Sequence, residues 1–159
     1  MASITRQDVV DAARTYLGVP WEWGGRRGSG TLDCGGLTLA IIEDLGLEEL
    51  MPKYGSVPTC KRTVAAGKTH PKSIYQKFVN VPFIEIPKED AGIGDVEVYY
   101  IRERDIPCHC AILTDKGMIH THRGALLNHQ LGEVVETKRS TFWDKRAIAA
   151  FRYQGLKDG

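Results

Sequence analysis

The sequence predicts an α+β domain whose N-terminal helices pack on an antiparallel sheet of about five strands. Apolar residues recur at helical spacing through the first 45 positions. From residue 96 the period shortens to two, and Gly, Asp and Pro cut the second half into short runs. With 159 residues, 42% apolar and 26% charged, the chain reads as one domain over 1–159 with a sizeable core. The formal net charge of +1, with Lys and Arg dispersed, leaves no electrostatic footprint for nucleic acid. No apolar run approaches the roughly 20 residues that span a bilayer.

The first element is a helix over about residues 6–17. Thr5-Arg-Gln-Asp8 reads as a capping box, and Val9, Val10, Ala13, Tyr16 and Leu17 mark one face before the stop at Gly18. These residues read as fold and not as an export signal. A glycine-rich loop over 18–33 follows. A second helix, about Cys34 to Leu45, carries Leu37, Ala40, Ile41, Ile42 and Leu45 and stops at Gly46; being apolar over most of its surface, it belongs at the centre.

Residues 47–90 read as an insertion or rim. Pro52, Gly55, Pro58 and Gly67 punctuate them, and a third helix is expected from Pro71, with Ile74, Tyr75 and Phe78 inward. Strands are predicted at 96–101, 108–114, 118–122, 133–137 and 148–153.

The chemistry centres on Cys34. A cysteine inside an apolar helix is most often packing. Here a loop rich in glycine precedes it and places it at a helix N-terminus, where unpaired amides and the macrodipole favour thiolate over thiol. Three of the five histidines fall in one predicted hairpin, Cys108–Thr114 and Met118–His122, joined at Asp115-Lys-Gly117. A loop of even length puts His109, His120 and His122 on one face and Cys108, Cys110 and Ile112 on the other; an odd loop splits the set. A general base and an orienting partner on one face are what a thiol nucleophile requires.

The remaining candidates read as structural. Cys108 and Cys110 are small packing residues, and Cys60 beside Lys61 and Arg62 is an exposed thiol. His122 lies at the strand end, orienting only under another register, while His70 and His129 belong to the surface. Asp95 after Gly94 is a turn residue. Cys108-His-Cys110 and His120-Thr-His122 are rich in metal-ligand types, but strand alternation divides the first tripeptide between two faces and no C-x-x-C pair exists. No metal or other cofactor is expected. Without a signal segment, reduced thiols are the expectation and no disulfide framework is read from the four cysteines.

Leu17-Gly-Val-Pro-Trp-Glu-Trp-Gly-Gly25, Asp33-Cys-Gly-Gly-Leu37, Gly94-Asp95-Val96, His109-Cys-Ala-Ile-Leu113 and Met118-Ile-His120 occur in the order and spacing of NlpC-type cell-wall cysteine peptidases. The chain resembles that family over most of its length except about residues 47–90. The resemblance implies a compact papain-like fold and hydrolysis of peptide bonds in peptidoglycan stem peptides. It implies Cys34 as nucleophile, His109 as general base and His120 as the member that orients His109. It also implies that Asp33 faces the substrate, where related enzymes bind a free amino group.

Two positions depart from the common pattern. Trp21 follows Pro20 where many relatives have Tyr, replacing a hydroxyl by an indole N–H that donates but cannot accept. Gly35 stands where a small polar residue commonly follows the cysteine. Both bear on substrate choice more than on chemistry.

The bare Asp-Cys-Gly-Gly-Leu form, the His-Cys-Ala-Ile-Leu strand and the Trp143–Tyr153 ending are most similar to family members carried by bacteriophage tails. That implies synthesis in the cytoplasm, association with tail proteins of a virion and action at the bacterial wall. Its rival from another class is a structural or assembly protein of the tail that retains the fold. Permuted relatives acting on lipids place the histidine before the cysteine, and the order Cys34 then His109 opposes that branch.

Overall fold

The computed structural model describes residues 3–47, 83–101, 108–121 and 132–157. Helix α1 (Arg6–Arg14) begins where Thr5 accepts a hydrogen bond from the Asp8 amide and Asp8 accepts one from the Thr5 amide, the capping box read from the sequence. It buries Val9, Val10 and Ala13. It ends three residues earlier than predicted, with Thr15 as its C-terminal cap, so Leu17 falls outside the helix and is 42% exposed. Helix α2 (Cys34–Asp44) is capped by Asp33 and buries every residue from Gly35 to Ile42.

The strands are β1 (Phe83–Ile86), β2 (Val96–Tyr99), β3 (His109–Thr114), β4 (Gly117–His120), β5 (Val135–Thr137) and β6 (Ala147–Tyr153). A short helix, α3 (Thr141–Asp144), precedes β6. Among the described residues the sheet is antiparallel in the order β1-β6-β2-β3-β4-β5, six strands where about five were expected. The unpredicted strand is β1, an edge of four residues between Pro82 and Pro87 that pairs with β6. Only Phe83 is buried in it, so no alternation signals it. The expected helix after Pro71 lies outside the described residues, as do Cys60, His70, His122 and His129.

Two apolar layers flank the sheet. Val9 and Ala13 of α1 and Leu37, Ala40 and Ile41 of α2 pack on Val96, Val98, Cys110, Ile112, Ile119 and Phe151. On the opposite face Tyr99, Ala111, Leu113, Met118 and Ala147 surround Trp143 of α3. On that second face Arg139 donates to Glu97 at 2.5 and 3.0 Å, and the Tyr99 hydroxyl donates to Glu97 at 2.6 Å. Burial and the adjacent Glu97 carboxylate push the Tyr99 hydroxyl far above its ordinary pKa, so it stays a donor.

Asp95 is more than a turn residue. Fully buried, it accepts two bonds from Arg152 at 2.8 Å each, one from Arg6 at 3.0 Å and one from the Gly92 amide at 2.9 Å. It thereby joins α1, the turn before β2, and β6.

Candidate active site

Cys34 is the first residue of α2, and the local sequence explains why the chain turns into a helix there. The Asp33 carboxylate accepts from the Gly36 amide at 2.6 Å, which satisfies one orphan donor of the first turn. The same carboxylate accepts from the Gly24 amide at 3.0 Å and from Arg26 at 3.0 Å, fastening the preceding loop to the helix start. Glycines permit this approach: a Cβ on Gly36 would stand 2.1 Å from the Gly25 carbonyl oxygen, and one on Gly25 2.6 Å from the Leu32 nitrogen. Gly25 and Gly36, one from each Gly-Gly pair of the motif, are therefore the two sides of one backbone contact.

Trp21 is held in the same loop. Its backbone bridges Leu32, and its amide donates to the Gly132 carbonyl at 2.8 Å. Its ring lies 6.3 Å from that of Trp23, which is 56% exposed. Asp33, by contrast, is almost wholly buried beneath its amide and guanidinium donors.

The hairpin has the even register. Ile112 pairs with Ile119 and Thr114 with Gly117, leaving Asp115 and Lys116 as the turn. His109 and His120 consequently share a face, and their side chains meet: His109 Nε2 lies 2.9 Å from His120 Nδ1. His120 Nε2 in turn lies 3.2 Å from the Thr137 hydroxyl on β5. Both imidazoles are buried, at 3% and 0% exposure.

Trp143 encloses the pair. Its ring stacks on His109 with centroids 5.0 Å apart and meets His120 edge-on at 5.3 Å. Neither Trp143 nor Thr137 figured in the sequence reading of the site. A four-residue helix has no periodicity to read, and a threonine at the end of an edge strand carries no signal until the register is known.

The imidazoles occupy the Trp143 face of the sheet, whereas Cys34 packs at the margin of the helical face. The start of β3 is the segment common to both. There the Cys110 thiol donates to the Cys34 carbonyl at 3.4 Å, and His109 is the next residue along the strand. Cys110 faces away from the histidines as predicted, but its contact with Cys34 was not anticipated. Among the described residues no group of three or more His, Cys, Asp or Glu side chains is arranged to hold a metal. No described helix is long and apolar enough to cross a membrane.

The sequence profile of the NlpC/P60 family matches residues 18–152, from the glycine-rich loop through β6. The chain belongs to the NlpC/P60 family. Solved structures agree on the fold. An NlpC/P60 family protein from Bacillus cereus superposes with a TM-score of 0.60 at 21% identity over 96% of this chain and 41% of its own. The P60 domain of an antigen from Mycobacterium avium subspecies paratuberculosis gives 0.56 at 17% identity, covering 96% of both chains. A Staphylococcus aureus protein described as similar to lipoprotein, NLP/P60 family, gives 0.56 at 20% identity over 96% of this chain and 42% of its own. The chain thus spans less than half the length of the Bacillus and Staphylococcus proteins. No curated protein matches it. NlpC/P60 proteins are in general cysteine peptidases of the cell wall, and the helices-plus-antiparallel-sheet architecture is consistent with a papain-like fold.

Proposed function

We propose that this NlpC/P60 domain is a cysteine endopeptidase that hydrolyses peptide bonds in peptidoglycan stem peptides, with Cys34 as nucleophile, His109 as general base and His120 as orienting group. The observation that carries the reading is the buried His109–His120 hydrogen bond, 2.9 Å long, on the strand whose next residue touches the Cys34 backbone.

The pair has a definite proton logic. For His109 to accept the thiol proton at Nδ1, its own proton must sit on Nε2 and point at His120 Nδ1. His120 then carries its proton on Nε2, directed at the Thr137 hydroxyl. The Cys34 sulfur attacks the scissile carbonyl, the oxyanion meets the Cys34 amide at the helix start, and the Trp21 indole N–H serves as second donor. Protonated His109 delivers its proton to the leaving amine. Water, deprotonated by His109, then cleaves the thioester and regenerates the thiol.

Asp33 enters this proposal as the carboxylate facing a substrate amino group, which an incoming ammonium would share with Arg26. Delivery to the wall by a phage tail is proposed on the sequence resemblance alone. Co-purification with virions, detected by mass spectrometry of purified particles, tests it; a chain absent from all particles contradicts it.

Incubating purified sacculi with the protein and with Cys34→Ala, then analysing muropeptides by mass spectrometry, tests the activity. New stem-peptide termini with the native chain alone are expected. Equal cleavage by both, or by neither, refutes the proposal.

A further inference from the structure

We infer that Cys110 is a resolving thiol for Cys34, so that oxidation of the nucleophile ends in a Cys34–Cys110 disulfide instead of irreversible loss. Cys34, Cys108 and Cys110 are present as thiols. The Cys110 sulfur stands 3.4 Å from the Cys34 carbonyl oxygen. Through ordinary C=O and Cα–C bond lengths, that puts it at most about 6 Å from the Cys34 Cα. A disulfide needs the two Cα atoms within roughly 4.4–6.8 Å of each other, and with the reach of the Cys110 side chain added the limit on that separation here is about 9 Å. Forming the bond therefore takes rotation of the Cys34 side chain toward Cys110 and closure of the α2 start onto β3.

The two thiols differ in the way a sensor pair requires. Cys34 is partly exposed at a helix N-terminus, the position that favours thiolate and hence attack on an oxidant. Cys110 is 1% exposed in the middle of the sheet, sheltered from the same oxidant but touching the nucleophile's own backbone. α2 packs directly on β3, which keeps the two residues neighbours.

The chemistry balances with a peroxide as oxidant. The Cys34 thiolate attacks one peroxide oxygen, forming a sulfenic acid and, after protonation of the leaving oxygen, water. The Cys110 sulfur then attacks the Cys34 sulfur, the S–S bond forms, the S–O bond breaks and a second water leaves. Two electrons pass from the thiol pair to the peroxide, and an external dithiol returns them. The inference requires thiolate character at Cys34 but no particular substrate, so its test does not depend on peptidase activity.

The full chain is treated with hydrogen peroxide, alkylated, digested without reduction and analysed by mass spectrometry. The expected main product joins the Cys34 peptide to the peptide that carries both Cys108 and Cys110, with fragment ions placing the link on Cys110, and disappears with dithiothreitol. In Cys110→Ala, Cys34 should pass to sulfinic acid, and its thiol recovery on dithiothreitol should drop severalfold. Sulfinic Cys34 in the native chain without a cross-link overturns the inference, as does a link from Cys34 to Cys108 or Cys60. If Cys110→Ala does not fold, the cross-link in the native chain decides alone.

Discussion

His109 Nε2 and His120 Nδ1 are 2.9 Å apart in a buried setting, and that bond ties the tautomer of each ring to the other. A second ring nitrogen on His120 reaches Thr137, so the pair is one end of a relay that crosses β3, β4 and β5. Removing the middle member should leave a base of wrong orientation and tautomer. In His120→Ala, kcat on muropeptides should fall about 10²–10⁴-fold with KM nearly unchanged. His120→Asn, which can still hydrogen-bond His109, should recover part of the loss. A KM effect without a kcat effect would assign His120 to substrate binding instead.

Trp143 should matter to both stability and rate. It is 2% exposed and touches Tyr99, His109 and His120. Truncation of a buried aromatic of this size costs about 3–5 kcal/mol, so Trp143→Ala should show a large fall in the urea midpoint. Trp143→Phe keeps an aromatic face and should retain most stability. Under native conditions its kcat should still drop, because the smaller ring leaves His109 less constrained.

Asp33 separates two roles by two substitutions. Asp33→Ala removes the cap of α2 and should cost about 0.5–2 kcal/mol in chemical denaturation. Asp33→Asn keeps an oxygen for the Gly36 amide but discards the charge shared with Arg26. If Asp33 contacts a substrate ammonium, Asp33→Asn should raise KM for stem peptides with a free amino group and spare those without one. Equal KM values for the two substrates would leave Asp33 with the structural role alone.

Glu136 supplies a pH dependence. It accepts two bonds from Arg14 and one from Thr114, joining α1 to β5 and β3, and the Arg14 guanidinium holds its carboxyl below the ordinary range. A carboxyl with a lowered folded pKa adds stability that is present above its unfolded value and lost as pH falls through the folded one. Denaturation midpoints of the native chain and Glu136→Gln should therefore differ at pH 7 and converge below about pH 4. The gap should be modest, at most about 1 kcal/mol, because the pair is partly solvated. A gap that widens on acidification contradicts the assignment.

Much of this architecture is legible in the sequence because local rules and tertiary contacts agree. The capping box at Thr5 and the apolar α2 follow from spacing alone, whereas spacing leaves the hairpin register open and the structure supplies the even one. What escaped was set by partners distant in the chain. Asp95 looks like a turn residue until Arg6 and Arg152 arrive from opposite ends. Gly25 looks like a loop glycine and Gly36 like a helical one until their backbones touch. β1 buries one side chain and has no period to find. Trp143 sits in a single helical turn, and only the fold shows that its ring covers two imidazoles.

The central claim is that Cys34 and His109 act as one thiol–imidazole unit, and the pH dependence of Cys34 alkylation by iodoacetamide tests it without any substrate. An isolated cysteine gains reactivity only as pH nears about 8.5. The native chain should react at Cys34 well below that pH, and His109→Ala should lose most of that reactivity at pH 6. Superimposable profiles for the two proteins would contradict the account.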